Sequence, residues 1–213
     1  MVLNKVYCQD VMTAEYPDGL TITDPPYNQD YHYNKHKDKL TEDDYLDLLS
    51  SIKKPCVVIH YPEESINLLP KVFGKVEQVV TWVYNSNTGK QSRSITWWGC
   101  KPDFRKVLQP YKNLNDKRII KRIQEGKVGA KLYDWWEINQ IKNVSKEKTG
   151  HPCQIPEELI RRIILTTAQP GQLIIDPFAG SGTTLKVAKD LGYDYVGFEY
   201  DETYVDIIND RLK

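Results

Sequence analysis

The stretch LIIDPFAGSGTTLKVAKDLGYDYVGFEY, residues 173–200, constrains the fold more than any other part of the chain. An apolar run ends in an acid, a Gly-x-Gly turn follows, then an amphipathic segment, then a second apolar run that closes on Glu199. This succession reads as strand, tight turn, helix and strand, the unit from which parallel sheets with covering helices are built. Gly180 and Gly182 let the backbone turn sharply and pass close to a ligand, and a helix starting at Thr183 aims its free amides there. Glu199 lies 23 residues after Asp176, where a carboxylate can accept both hydroxyls of a ribose. The dinucleotide fingerprint needs a third glycine where GSGTTL carries Leu185, which argues against NAD.

The same alternation runs through most of the chain, so the expected fold class is α/β, a mostly parallel sheet with helices on both faces. Strands are expected at 20–23, 56–60, 77–83, 173–176 and 194–199, and helices at about 41–51, 62–69, 156–168, 183–191 and 201–212. Thr41 before Glu-Asp-Asp and Pro156 before Glu-Glu mark two helix starts. From Gly89 to Gly150 the pattern dissolves into Lys, Asn, Gly and paired Trp, with one helix in NDKRIIKRIQEG. The expected organisation is a domain of residues 1–88 and 150–213 with an insertion at 89–149.

Lys plus Arg and Asp plus Glu both number 29, so the net charge excludes nothing. Its distribution is informative, because residues 101–150 hold 13 basic and 6 acidic side chains, a segment suited to a polyanion or to a solvated face. Four scattered cysteines form no CxxC pair, which fits a reducing cytoplasm and no zinc site. No segment reads as a leader or a membrane span. His32 and His36 share a spacing that metal ligands use, but no third ligand accompanies them, and no metal is expected.

TDPPYN, residues 23–28, follows an apolar strand and should therefore lie at the carboxyl edge of the sheet, beside the glycine loop. An exocyclic amine on a nucleobase is a poor nucleophile, because its lone pair is delocalised into the ring. A carboxylate and a carbonyl that accept its two hydrogens favour a pyramidal nitrogen. Asp24 and Pro25 supply those acceptors, Pro26 stiffens the turn, and the Tyr27 ring can stack on a base.

DPPYN followed later by DPFAGSGTT resembles the amino-type DNA methyltransferases, which move a methyl group from S-adenosyl-L-methionine to adenine N6 or cytosine N4. The order of the two motifs is similar to that of the permuted beta class, and GHPCQIPEELIRRII at 150–164 resembles the family's HPxQxP segment. The resemblance covers about two thirds of the chain and implies a Rossmann-like methyltransferase fold, with 89–149 in the place of the target-recognition insertion. It implies a catalytic pocket of Asp24, Pro25, Pro26 and Tyr27. Around the cofactor it places Asp176, Phe178, Ala179, Gly180, Ser181, Gly182 and Thr183, with Asp24 bordering it and Glu199 on the ribose. His151 and Gln154 fall near the cofactor's amino-acid end, where Ile155 departs from the family's common lysine, and Asp10 resembles the acid that contacts its adenine.

Adenine is the expected target, because the family's cytosine enzymes more often open this motif with serine. The alternatives are a cytosine-N4 enzyme, an RNA or protein-glutamine methyltransferase, and a silent DNA-binding relative. Duplex DNA is the expected partner, with single strands as the alternative, and the resemblance allows a homodimer and a restriction endonuclease acting on the same site. Among basic residues Arg93, Arg105, Lys106, Arg118, Lys121 and Arg122 are the expected DNA contacts. Five tryptophans in or beside the insertion either wedge into DNA or pack in the core. The Pro-Cys-Gln at 152–154 is not read as a nucleophile, because DPPY already supplies a complete alternative chemistry.

Overall fold

The computed structural model describes residues 1–33, 38–86 and 89–213; His36 therefore lies outside the described residues. Ten strands form among the described residues: β1 (Lys5–Cys8), β2 (Leu20–Thr23), β3 (Cys56–His60), β4 (Gln78–Val83), β5 (Ser92–Trp98), β6 (Leu108–Gln109), β7 (Ala130–Lys131), β8 (Trp135–Glu137), β9 (Ile174–Asp176) and β10 (Tyr195–Glu199). Eight of them make one sheet in the order β1, β10, β9, β2, β3, β5, β4, β8, while β6 and β7 pair separately. Every pairing in the large sheet is parallel except the two that β5 makes with β3 and β4.

The helices are α1 (Glu42–Ser50), α2 (Pro62–Asn67), α3 (Leu69–Phe73), α4 (Lys117–Gln124), α5 (Glu157–Thr167), α6 (Thr183–Asp190) and α7 (Glu202–Arg211). Local chemistry sets their starts. Thr41 caps the Asp44 amide ahead of three acids in the first turn of α1, and Asp201 caps Thr203 at the start of α7. The single helix expected at 62–69 is broken at Leu68, because Pro70 cannot donate into a continuing ladder.

Strands β2 and β3 are buried along their whole length, as parallel strands covered on both faces are. Alternate residues go to opposite layers. Val57 and Ile59 pack with Leu159, Ile163, Leu185 and Ile208 of α5, α6 and α7. Cys56 and Val58 pack with Tyr45, Leu49, Leu69 and Phe73 of α1 and α3. Gly197 allows α6 to lie close, since a Cβ there would sit 2.4 Å from Leu185.

The sheet takes two strands, β5 and β8, from the segment read as an insertion. Four of the five tryptophans are core: Trp82, Trp97, Trp98 and Trp136 are fully buried, and each indole N–H has an acceptor. Trp135 is the half-exposed one.

From β9 the chain passes through α6 to β10 on one side, and from β2 through α1 to β3 on the other. Neighbouring β9 and β2 thus lead away from each other and leave a crevice above their carboxyl ends, where open α/β sheets bind ligands.

Candidate active site

Both motifs border this crevice. Thr23, the last residue of β2, donates from Oγ1 to Asp176 Oδ1 at 2.8 Å, which joins the end of β2 to the end of β9. The Phe178 amide donates to the same carboxylate oxygen at 3.1 Å. Burial still dominates for Asp176 and raises its pKa to about 6.

Asp24 follows Thr23 and is flanked by two partners. Tyr27 donates its hydroxyl to Asp24 Oδ1, and Arg93 Nη1 of β5 lies 3.5 Å from Oδ2, with both side chains under 15 % exposed. Burial raises the Asp24 carboxyl above its ordinary value, while Arg93 and the Tyr27 hydroxyl pull it down. The Tyr27 ring lies 4.5 Å from the His60 ring and 4.8 Å from Tyr61.

A relay that the sequence did not reveal fixes the turn from behind. The Tyr61 amide donates to His60 Nδ1 at 2.8 Å, which assigns the ring proton to Nε2. That nitrogen donates to the Tyr45 hydroxyl at 2.7 Å, and Tyr45 donates to the Pro26 carbonyl at 2.7 Å. Burial, aided by Arg93 and Lys90, lowers the His60 pKa to about 3 and keeps it neutral. With Pro26 occupied and no hydrogen bond to the Pro25 carbonyl among the described residues, Pro25 is the free acceptor beside Asp24.

On the other side of the crevice the glycine loop needs left-handed backbone at Gly180 (φ 51°) and Gly182 (φ 74°), and Gly182 caps α6. Glu199, at the end of β10, accepts from the Gly180 amide at 2.8 Å and from the Asp201 amide at 2.9 Å. No side-chain cation pairs with it among the described residues, and burial raises its pKa to about 7. Asp10 caps the Met12 amide at 2.9 Å, two residues beyond Cys8, the register partner of Glu199. The His151 ring lies against Gly180, where a Cβ would meet it at 3.3 Å, and burial lowers its pKa to about 4. Gln154 spends its amide on its own loop, accepting from the Thr149 amide at 2.7 Å and donating to the Glu147 carbonyl at 2.5 Å. The Cys153 thiol is pushed up by burial, which disfavours a thiolate.

Arg211 is a second residue without a sequence signal. Its Nη1 donates to the Ser181 carbonyl at 3.0 Å and to Thr183 Oγ1 at 2.9 Å, while Nη2 pairs with Glu157 at 2.7 Å. It clasps the glycine loop between α7 and α5.

The basic residues separate into three groups. Arg93 lies in the pocket. Arg105 and Lys106 sit by the end of α5, where the Asp103 amide donates to Thr166 and Lys106 to the Ala168 carbonyl. This is the amino edge of the sheet, since α5 leads into the start of β9. Arg118, Lys121 and Arg122 belong to α4, which has no buried residue and stands out between β6 and β7.

The family model for N6/N4 methylases, described as DNA methylase, matches residues 19–210. The Type II methyltransferase M.BglII of Bacillus subtilis is 29 % identical over 96 % of this chain and 68 % of its own length. The PvuII DNA methyltransferase, cytosine-N4-specific, superposes with a TM-score of 0.68 at 17 % identity, covering 98 % of this chain and 86 % of its own. The M1.HpyAVI–SAM complex gives a TM-score of 0.63 at 19 % identity and covers 98 % of both chains. These two structures share the fold. The chain belongs to the N6/N4 DNA methylase family. Its members use S-adenosylmethionine. The crevice fits that group: Glu199 is a half-buried carboxylate held by backbone amides and by no side-chain cation among the described residues, so each oxygen keeps acceptor capacity for a hydroxyl.

Proposed function

We propose that this chain methylates the exocyclic N6 amine of adenine in a short DNA site, with S-adenosylmethionine as donor. The observation that carries the reading is the Thr23–Asp176 hydrogen bond of 2.8 Å, which sets the amine-accepting turn and the glycine loop on one crevice. Adenine rather than cytosine rests on Asp24, in the position where the family's cytosine enzymes more often have serine.

When bound, S-adenosylmethionine supplies a methyl group on a cationic sulfur and leaves as the neutral thioether. The protein's part is positioning. Asp24 accepts one hydrogen of the amine and the Pro25 carbonyl the other, so the nitrogen lone pair is withdrawn from the ring and freed for attack. Asp24 then takes the proton that the methylated nitrogen sheds. Tyr45 and His60 hold the Pro26 carbonyl so that Pro25 is the acceptor the base meets. Glu199 and Asp10 would hold the donor's ribose and adenine and the loop Asp176–Thr183 would line its site, with the His151 ring packed against Gly180.

The target base has to leave the duplex stack, which costs roughly a few kcal/mol, least in single-stranded DNA. Within the pocket the Tyr27 ring is the stacking surface, once its hydroxyl gives up Asp24. The cations of α4, with Arg105 and Lys106, supply phosphate contacts on an arm that starts from the opposite edge of the sheet. The test is transfer of labelled methyl to mixed-sequence duplex DNA, followed by nucleoside analysis. N6-methyladenine is the expected product, N4-methylcytosine would correct the base, and no methylated nucleoside would overturn the reading.

A further inference from the structure

Arg93 is the feature that the reaction above leaves unexplained. It lies on β5 opposite Trp82, and its guanidinium carbon is 5.0 Å from the centre of the Tyr27 ring, 5.4 Å from Trp82 and 5.7 Å from Tyr61. The side chain is 13 % exposed, and its Nε is buried with no hydrogen-bond partner. A buried arginine with an unpaired donor is costly to the fold, and the carboxylate it does meet is that of Asp24, 3.5 Å away. Reaching a DNA phosphate is not that role, because three aromatic rings enclose the guanidinium at the floor of the crevice.

We propose that Arg93 is a positioning residue for methyl transfer, its guanidinium holding the Asp24 carboxylate charged and turned toward the amine. The inference rests on the proposed reaction. Asp24 is faced by titratable groups from several elements: Tyr27 and Tyr33 from its own loop region, Tyr45 of α1, Tyr84 beyond β4, Arg93 of β5, Cys153 ahead of α5 and Asp176 of β9. Of these only Arg93 is a cation. Asp176 is itself raised to about 6, chiefly by burial with the Asp24 charge adding to it, and the phenols and the thiol are held neutral by burial. Without Arg93 the pocket would favour a protonated Asp24, which offers one acceptor fewer and cannot take the proton.

The experiment compares Arg93→Met, which keeps length without charge, and Arg93→Lys, which keeps charge. Methyl transfer is followed from pH 5 to 9, and S-adenosylmethionine affinity is measured alongside. Activity needs ionised Asp24, so it is present above the Asp24 pKa and lost as pH falls through it. Removing a group that lowers this pKa moves the acidic limb upward. The Met variant should show that limb shifted by at least one pH unit and kcat at pH 7 reduced more than tenfold, with cofactor affinity unchanged. The Lys variant should restore the limb. An unshifted limb in the Met variant overturns the proposal, and so does a defect confined to the KM for DNA that grows with salt, the mark of a phosphate contact. Should the Met variant fail to fold, Arg93→Gln gives the same comparison. Carbon-13 NMR titration of the Asp24 carboxyl needs no turnover: a rise in the Met variant supports the coupling even if wild type methylates no DNA, and an unchanged midpoint overturns it.

Discussion

Thr23 and Asp176, 153 positions apart, share a buried hydrogen bond of 2.8 Å that binds the amine-accepting turn to the cofactor strand. Thr23→Val keeps the shape and removes the donor. Leaving a buried carboxylate short of a partner costs about 1–3 kcal/mol. Urea unfolding should show that loss, Thr23→Ser should recover most of it, and kcat should fall more than the cofactor affinity. Unchanged stability in the Val variant would mean that the two loops are held together by other contacts.

Tyr45→Phe deletes the hydroxyl that reaches the Pro26 carbonyl and leaves His60 Nε2 without its acceptor. With two carbonyls then competing for the amine, kcat should drop about tenfold, a barrier increase of about 1.4 kcal/mol. Cofactor affinity, measured by calorimetry, should stay within twofold. Equal losses in both quantities would assign Tyr45 to general stability.

Glu199 has a folded pKa raised to about 7 by burial. A carboxyl raised in this way adds stability that is complete below its unfolded pKa and disappears as pH rises through the folded one. His60 and His151, held neutral at about 3 and 4, act in the opposite sense below the ordinary histidine range. The Glu199 contribution is therefore isolated by subtraction. Between pH 5 and pH 8, ligand-free wild type should lose about 2 kcal/mol relative to Glu199→Gln. A constant difference across that window would contradict the assignment. Glu199→Ala should also weaken cofactor binding at least tenfold.

Arg211 bridges Glu157 of α5, Ser181 and Thr183. Arg211→Met leaves Glu157 unpaired in a partly buried position and frees the glycine loop, at a cost of about 3 kcal/mol. Thermal melting should report the destabilisation, and added cofactor should restore less of the melting temperature than in wild type. A melt indistinguishable from wild type would show that Arg211 does not clasp the loop.

The α4 arm is tested by combining Arg118→Ala, Lys121→Ala and Arg122→Ala. If the three meet phosphates, DNA affinity falls evenly across sequences and the salt dependence loses about one unit of slope per contact. Single-turnover transfer on saturating DNA should be unaffected. An unchanged salt slope would place the duplex away from this arm.

The parts of the site that could be read from the sequence are those written in consecutive residues. DPPY and FAGSG are local devices, a stiff acid turn and a left-handed glycine turn, and each sits where it was expected. Helix starts at Thr41 and Pro156 were equally legible, because start signals are local chemistry. Strand β5 was not, since Ser-Arg-Ser-Ile-Thr-Trp-Trp lacks alternation and becomes a strand through its neighbours β3 and β4. Arg93 was expected as a DNA contact on its charge alone, and only the fold shows the three rings around it. His60, Tyr45 and Arg211 act across elements, and such contacts leave no spacing to read.

We propose that the turn at Asp24 and the loop at Gly180 form one methyl-transfer site with divided duties. The most direct measurement pairs two assays on Asp24→Ala: labelled methyl transfer to duplex DNA, and S-adenosylmethionine binding by calorimetry. Transfer should fall at least a thousandfold, about 4 kcal/mol of barrier, with cofactor affinity within threefold of wild type. Substantial transfer by the variant, or loss of cofactor binding in step with activity, would contradict it.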